Sequence, residues 1–267
     1  MRLSQGQLTL LETCPRQFQH VYLEQMAAPL APEQQISLSG GQRFHLLMQQ
    51  AELGLPVAAL AQTDAMLEQW FTAFRGAAAQ IMGSAPAIAR QSEQLRTLEF
   101  ADHLLTVVYD LVILTPDQAQ ILDWKTAAPP QQSQYIHRSW QTRLYQFVLA
   151  ETIAYAAHQI TLTYWFFAAD ERTMPPNFGP QSLKFSYDRA QHQKTHHDLT
   201  QLLNQLTAWL ADYATGKFLP QVLESAGHCG TCSFAVRCQR GQAQPSAEQP
   251  WPAFGDIPEL AWVAETV

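Results

Sequence analysis

The sequence predicts a mixed α/β (α+β) domain, built on a central mixed sheet flanked by helices, with a helical part at the N-terminus and a Cys-rich part near the C-terminus. Three observations predict it. Helical segments separated by a loop occupy residues 4–82, strand-like runs follow, and a strong helix, a strand pair and a closing helix come after them. Residues 107–126 form a hairpin pattern, with apolar runs on either side of Thr115-Pro116-Asp117-Gln118. The chain has 267 residues, of which 47% are hydrophobic, enough for a sizeable core.

Residues 4–26 read as helix, opened by Ser4 and Gln7 in a capping box and faced by Leu8, Leu11, Phe18 and Tyr22. Pro15 removes a helix hydrogen bond, so a break is expected at Cys14-Pro15. Residues 27–36 read as a loop, and a second helix starts near Ser39 with Gly40-Gly41 at its head, carrying Phe44, His45, Leu47 and Met48. Residues 60–82 read as a longer helix with Leu67, Trp70, Phe71 and Phe74 at core spacing, followed by a linker over 83–89. Strands are expected over 94–100, over the two apolar runs 104–114 and 119–122 of the hairpin with Asp123 and Lys125 continuing the second, and over 160–168 and 182–187. Residues 126–133 read as a loop, and helices are expected over 136–155 and 192–215, the latter stopped by Gly216. Residues 1–240 are taken as one domain and 241–267, bearing Pro, Gln and Glu, as a tail.

Each strand of the hairpin carries one carboxylate, Asp110 and Asp123, and Lys125 lies two residues past Asp123. Strand side chains alternate, so Asp123 and Lys125 share a face and Trp124 takes the other. Asp110 sits inside the apolar run YDLVIL, where a merely solvated carboxylate is unexpected. Hard oxygen ligands of this kind suit Mg²⁺ or Mn²⁺. The plainer reading is an exposed ion pair and an edge charge that blocks aggregation.

The net charge of −7 gives no global basic footprint for nucleic acid, so a polyanion would need a local patch, a metal or a partner. No run is long and apolar enough to span a bilayer, and the N-terminal residues lack a signal-peptide core, so a cytoplasmic location without a membrane partner is expected. The 4 cysteines then read as metal ligands rather than disulfides. Cys229 and Cys232 form C-x2-C, Cys238 follows, and Cys14 lies at the far end of the chain. Four thiolates suit either zinc or an iron–sulfur cluster, and a site including Cys14 would tie the chain ends together. Gln141 and Tyr145 share a helix face, flanked by Arg138 and Arg143, which can meet phosphates. Walker A, G-x-S-x-G and G-x-G-x-x-G patterns are absent, which disfavours P-loop hydrolysis, serine esterase chemistry and dinucleotide binding.

Taken in order, Cys14-Pro15-Arg16, Gly41…His45, Asp110, Asp123-Trp124-Lys125, Gln141…Tyr145 and Cys229…Cys232…Cys238 resemble the iron–sulfur branch of the RecB-like PD-(D/E)XK nucleases. That branch includes the AddB nuclease domain and the CRISPR-associated exonuclease of spacer acquisition. The resemblance spans Cys14 to Cys238 and implies a restriction-endonuclease-like core. It implies His45, Asp110, Asp123 and the backbone carbonyl of Trp124 as ligands of Mg²⁺ or Mn²⁺, and Lys125 as the catalytic lysine. It also implies Gln141 and Tyr145 as supporting, DNA-contacting residues, and Cys14, Cys229, Cys232 and Cys238 as ligands of a structural [4Fe–4S] cluster, which moves the choice from zinc to iron–sulfur. The chain departs from the pattern ahead of Asp110, where Val108-Tyr109 stand in place of small or basic residues.

The implied activity is metal-dependent hydrolysis of DNA, with single-stranded ends as substrate, and the acidity of the chain favours work within a larger complex such as a CRISPR integrase or a helicase. Arg16, Arg237 and Arg240 lie near the cysteines in sequence and can line a path for the strand, with Tyr135 or Trp140 stacking on a base. The competing classes are a non-catalytic DNA- or partner-binding subunit, an iron–sulfur redox sensor and a zinc-stapled adaptor.

Overall fold

The computed structural model describes residues 1–26, 32–83, 85–130, 133–167 and 180–240. The expected tail, 241–267, lies outside them, as do parts of the expected segments 27–36, 83–89, 126–133 and 160–168.

Among the described residues, six strands form one mixed sheet: β1 (Arg2–Leu3), β2 (Ala89–Phe100), β3 (His103–Leu114), β4 (Ala119–Lys125), β5 (Ile160–Phe166) and β6 (Gln181–Ser186). β3 is the pivot. β2 pairs with it antiparallel along almost its whole length. The parallel stub β1 meets its N-terminal half at Leu104 and Leu105, and β4 meets its C-terminal end antiparallel. β5 continues parallel to β4, and β6 closes the edge antiparallel. The parallel β4–β5 pair needs a crossover, which the helices between them supply.

Helices cover both faces. One core joins α1 (Gln5–Thr13), α7 (Trp140–Thr152) and α8 (Arg189–Ala214) to the sheet through Leu8, Leu11, Leu144, Val148, Leu199 and Leu203. The other packs α3 (Pro32–Glu52) and α5 (Ala65–Met82) against Leu111, Ile113, Leu122 and Trp124 through Phe44, Leu47, Trp70 and Phe74. Burying side chains such as these contributes roughly 1.5–3 kcal/mol each, which makes the two cores the main stabilising term.

Several boundaries differ from expectation for identifiable reasons. The capping box at Ser4 and Gln7 is present, and α1 stops at Cys14, which is extended at φ −158 and ψ 104. Pro15 then opens the short α2 (Pro15–Phe18), where its missing N–H costs nothing, and a π-turn follows over Gln19–Leu23. α3 begins at Pro32 instead of Ser39, so part of the expected loop is helix and Gly40-Gly41 lie inside it. Ile36, near the start of this helix, is exposed and gives no core spacing. The expected 60–82 helix is split into α4 (Ala58–Ala61) and α5, since Asp64 caps a fresh start by accepting from the backbone of Met66 and Leu67. Likewise Ser139 caps α7 and separates it from α6 (Ser133–Arg138). β2 is longer than expected, starting at Ala89 instead of Gln94.

Candidate active site

The β3–β4 ladder runs from Leu114 opposite Ala119 to Leu111 opposite Leu122. The next residues on the two strands are Asp110 and Asp123. There the main-chain pairing gives way to a side chain: the N–H of Trp124 donates to Asp110 Oδ2 at 2.6 Å. The two carboxylates therefore stand at a fork between strands. Lys125 Nζ lies 2.7 Å from Asp123 Oδ1 and donates to Gln141 Oε1 at 3.1 Å. Gln141 Nε2 donates to Asp123 Oδ2 at 3.0 Å, which closes a ring of three buried polar side chains. Trp124 turns the other way into the second core against Phe74 and Phe167, as strand alternation requires.

His45 arrives from α3, with Nδ1 3.0 Å from Asp110 Oδ1. One turn earlier, a Cβ on Gly41 would lie 3.2 Å from Thr126 Oγ1, so the glycine permits the close approach of α3 to the end of β4. Phe44, Leu47 and Met48 anchor this helix in the second core. Burial opposes a charged His45, but the carboxylate of Asp110 outweighs it and holds the imidazole protonated, pushed up to about 9. Asp123 is shifted up, chiefly by burial and further by the charge of Asp110, while Lys125 opposes the shift. A divalent cation would reverse both trends, since it binds the neutral imidazole and the ionised carboxylates. The donor set of imidazole and carboxylates fits such a cation.

A third acid joins the cluster. Glu93 on β2 lies between the pairs Ser92–Leu111 and Gln94–Tyr109, and hence across from Asp110. Its backbone is left-handed, at φ 48. At this level β3 also changes face: Leu105, Val107 and Tyr109 enter the first core, whereas Leu111 and Ile113 enter the second. Ligand atoms of His45, Glu93 and Asp110 all lie within 4.8 Å of one another. Sequence reading missed Glu93, and the available signal was an acid in the strand preceding the Asp110 strand.

The remaining expected residues divide. Tyr145 is buried, its ring at 5.2 Å and 79° to Tyr109, and its carbonyl accepts from the Tyr109 hydroxyl. It braces the Asp110 strand and has no face open to a nucleic acid. Tyr109, which replaces the small or basic residue expected ahead of Asp110, thus belongs to the core. Arg143 pairs with Asp198 at 2.5 Å and lies over the Trp140 ring. Trp140 is itself buried and donates to Glu12, so its ring is not exposed. Arg16 donates to the carbonyl of Leu219 and lies over Phe218. Arg237 is 3.8 Å from Glu24, and Arg240 pairs with Glu224 at 2.9 Å. Arg138 lines a shallow pocket with Gln134, His137 and Phe185, and Tyr135 is exposed.

The four cysteines converge. Cys14, Cys229, Cys232 and Cys238 line one small cavity together with Gln17, Gln221 and Arg240. Burial pushes the Cys232 and Cys238 thiols up, and the neighbouring cysteines add to the shift. His20, which sequence reading passed over, lies on the π-turn with Nε2 3.6 Å from Cys238 Sγ and Nδ1 2.7 Å from Glu24. Protein hydrogen bonds join the N-terminal helices to the Cys-rich segment here: the N–H of Arg16 donates to the carbonyl of Pro220, and the N–H of Leu219 to Gln19 Oε1. Among the described residues no helix is long and apolar enough to cross a membrane.

A forked pair of carboxylates with a lysine two residues on, held by a helix-borne glutamine, defines a class of metal-assisted hydrolytic sites. Residues 2–239 match the family model of the PD-(D/E)XK nuclease superfamily, and the chain belongs to that superfamily. Its fold resembles a crystal structure of a Eubacterium rectale protein provisionally named an exonuclease, at 11% identity and a TM-score of 0.51, covering 91% of this chain and 90% of that one. The crystal structure of SSO0001 is also similar, at 12% identity and a TM-score of 0.38, covering 89% of this chain and 85% of that one. No curated protein sequence matches.

Proposed function

We propose that this chain is a divalent-metal-dependent DNA exonuclease that processes single-stranded ends. It works within a larger assembly of the kind that integrates CRISPR spacers or couples a helicase to repair. The observation that carries the reading is the convergence of Asp110, Asp123 and Lys125 at the strand fork, in a chain of the PD-(D/E)XK superfamily. His45, Asp110, Asp123 and the carbonyl of Trp124 would hold Mg²⁺ or Mn²⁺, which supplies Lewis acidity toward phosphate and a water that deprotonates near neutral pH. Lys125 presents its ammonium where charge builds on the scissile phosphate, and it orients the attacking water by hydrogen bonding. Gln141 fixes both Lys125 and Asp123 in advance, so little reorganisation is needed when substrate arrives. Tyr145 holds the Asp110 strand from behind through the Tyr109 hydroxyl.

In the same reading the chain belongs to the iron–sulfur RecB-like branch. The all-thiol donor set lining one cavity fits a [4Fe–4S] cluster, with Cys14, Cys229, Cys232 and Cys238 as ligands. Bound there, the cluster would hold the Cys-rich segment against the N-terminal helices. Of the basic residues, Arg138 and Arg237 remain open to a DNA backbone, whereas Arg16 and Arg143 shape the protein itself.

End-labelled single-stranded, overhang and duplex DNA, each with Mg²⁺ and with Mn²⁺, tests the activity. Shortening from single-stranded ends that stops on chelation is expected. No cleavage of any substrate by iron-replete protein overturns the reading.

A further inference from the structure

We propose that Glu93 is a direct ligand of the active-site cation, completing a set with His45 and Asp110; the inference rests on the reading of this fork as a divalent-metal site. Three strands contribute to one row. Glu93 on β2 lies across from Asp110 on β3, and Asp110 lies across from Asp123 on β4 where that ladder opens. Like charges on neighbouring strands repel, and a divalent cation held among the carboxylates would offset that repulsion.

The charges present divide the row unevenly. Asp123 has Lys125 and Gln141 on its two oxygens. Asp110 has the N–H of Trp124 on one oxygen and His45 on the other. Imidazole and carboxylate atoms of His45, Glu93 and Asp110 lie mutually within 4.8 Å, so Glu93 adds to the proposed ligands His45, Asp110 and Asp123, the last of which also faces Lys125. A cation with bonds of about 2.1 Å would draw these ligand atoms inward toward one centre. The left-handed backbone of Glu93, unusual inside a strand, coincides with the level at which β3 changes face.

The test uses the full chain, purified with its iron and stripped of loosely bound cations. Mn²⁺ binding is followed by titration calorimetry and by the electron paramagnetic resonance spectrum of the bound ion. Glu93→Gln is expected to weaken Mn²⁺ binding by about tenfold or more and to alter the bound-ion spectrum, because a ligand change costs at least as much as loss of an outer-shell partner. Glu99→Gln, an exposed acid on the same strand, should bind as the unsubstituted protein does. Glu93→Asn, which tolerates the left-handed backbone, repeats the test if the glutamine variant folds poorly, and circular dichroism establishes folding. Affinity within about twofold of the parent, or no Mn²⁺ binding by the parent, overturns the proposal. DNA cleavage by a parent that binds Mn²⁺, alongside an unaffected Glu93→Gln, removes the ligand assignment and leaves the nuclease reading standing.

Discussion

The strand fork and the cysteine cavity are built by opposite means. At the fork, every charged group but His45 and Glu93 projects from one hairpin and is buried, and its geometry follows from ladder register and strand alternation. At the cavity, Cys14 on a helix boundary meets Cys229, Cys232 and Cys238 on short turns more than 200 positions away, and three of the four cysteines are half-buried. A sheet stores a site in the same hydrogen bonds that stabilise the fold, so the fork stands before its ion arrives. A cavity made of turns depends far more on what fills it.

The comparison can be broken most sharply at the fork. Asp123→Asn keeps the shape but removes the charge that faces Lys125, and Lys125→Met removes the ammonium; either should lower metal-dependent DNA cleavage by about a hundredfold or more. The melting profile should change far less than the activity. Loss of folding in both variants would mean that the fork is a structural ion pair and no preorganised site.

Next comes the cavity. Cys232→Ser should abolish iron binding and the broad absorbance near roughly 400 nm typical of thiolate-ligated clusters, and it should lower the melting temperature. Mn²⁺ affinity at the fork should survive, because the backbone bonds from Arg16 and Leu219 still join the two ends. Equal loss at both sites would show that they form one cooperative unit.

A pH series sharpens the contrast. His45 is raised from 6.5 to about 9, so the stabilisation from its pairing with Asp110 is complete below 6.5 and is lost as pH rises through about 9. Asp123 is also raised, so burying it costs stability once it ionises. Both effects weaken the cation-free protein as pH rises, and both favour the form that binds a cation. The gain in melting temperature on adding Mn²⁺ should therefore grow between pH 6.5 and about 9. A gain that shrinks across this interval would contradict the assigned ligands.

The smallest effect is expected in the support of α3. Asp64→Ala removes the cap of α5, the helix that packs beside α3, together with the ion pair to Arg43 on α3, and should lower the denaturation midpoint modestly. Cleavage should be unchanged. A large loss of activity would show that α5 controls where His45 stands.

Much of this was legible in the chain. The hairpin, the shared face of Asp123 and Lys125, the opposite course of Trp124 and the break at Cys14-Pro15 all follow from local rules: strand alternation, turn chemistry and the missing proline N–H. Local rules misplace the start of α3 because Ile36, the apolar residue near that start, is exposed, and they merge α6 with α7 because a serine cap leaves little trace in a periodic pattern.

What the sequence determined by itself is the set of groups whose spacing lies within one strand or one turn of helix. Tertiary structure alone decided the distances that cross elements: Glu93 beside Asp110, Gln141 bridging Asp123 and Lys125, His20 against Cys238, and Arg143 turned to Asp198. The physical reason is that such contacts depend on strand register and helix docking. These are fixed by the summed burial of two cores, and no local pattern records them.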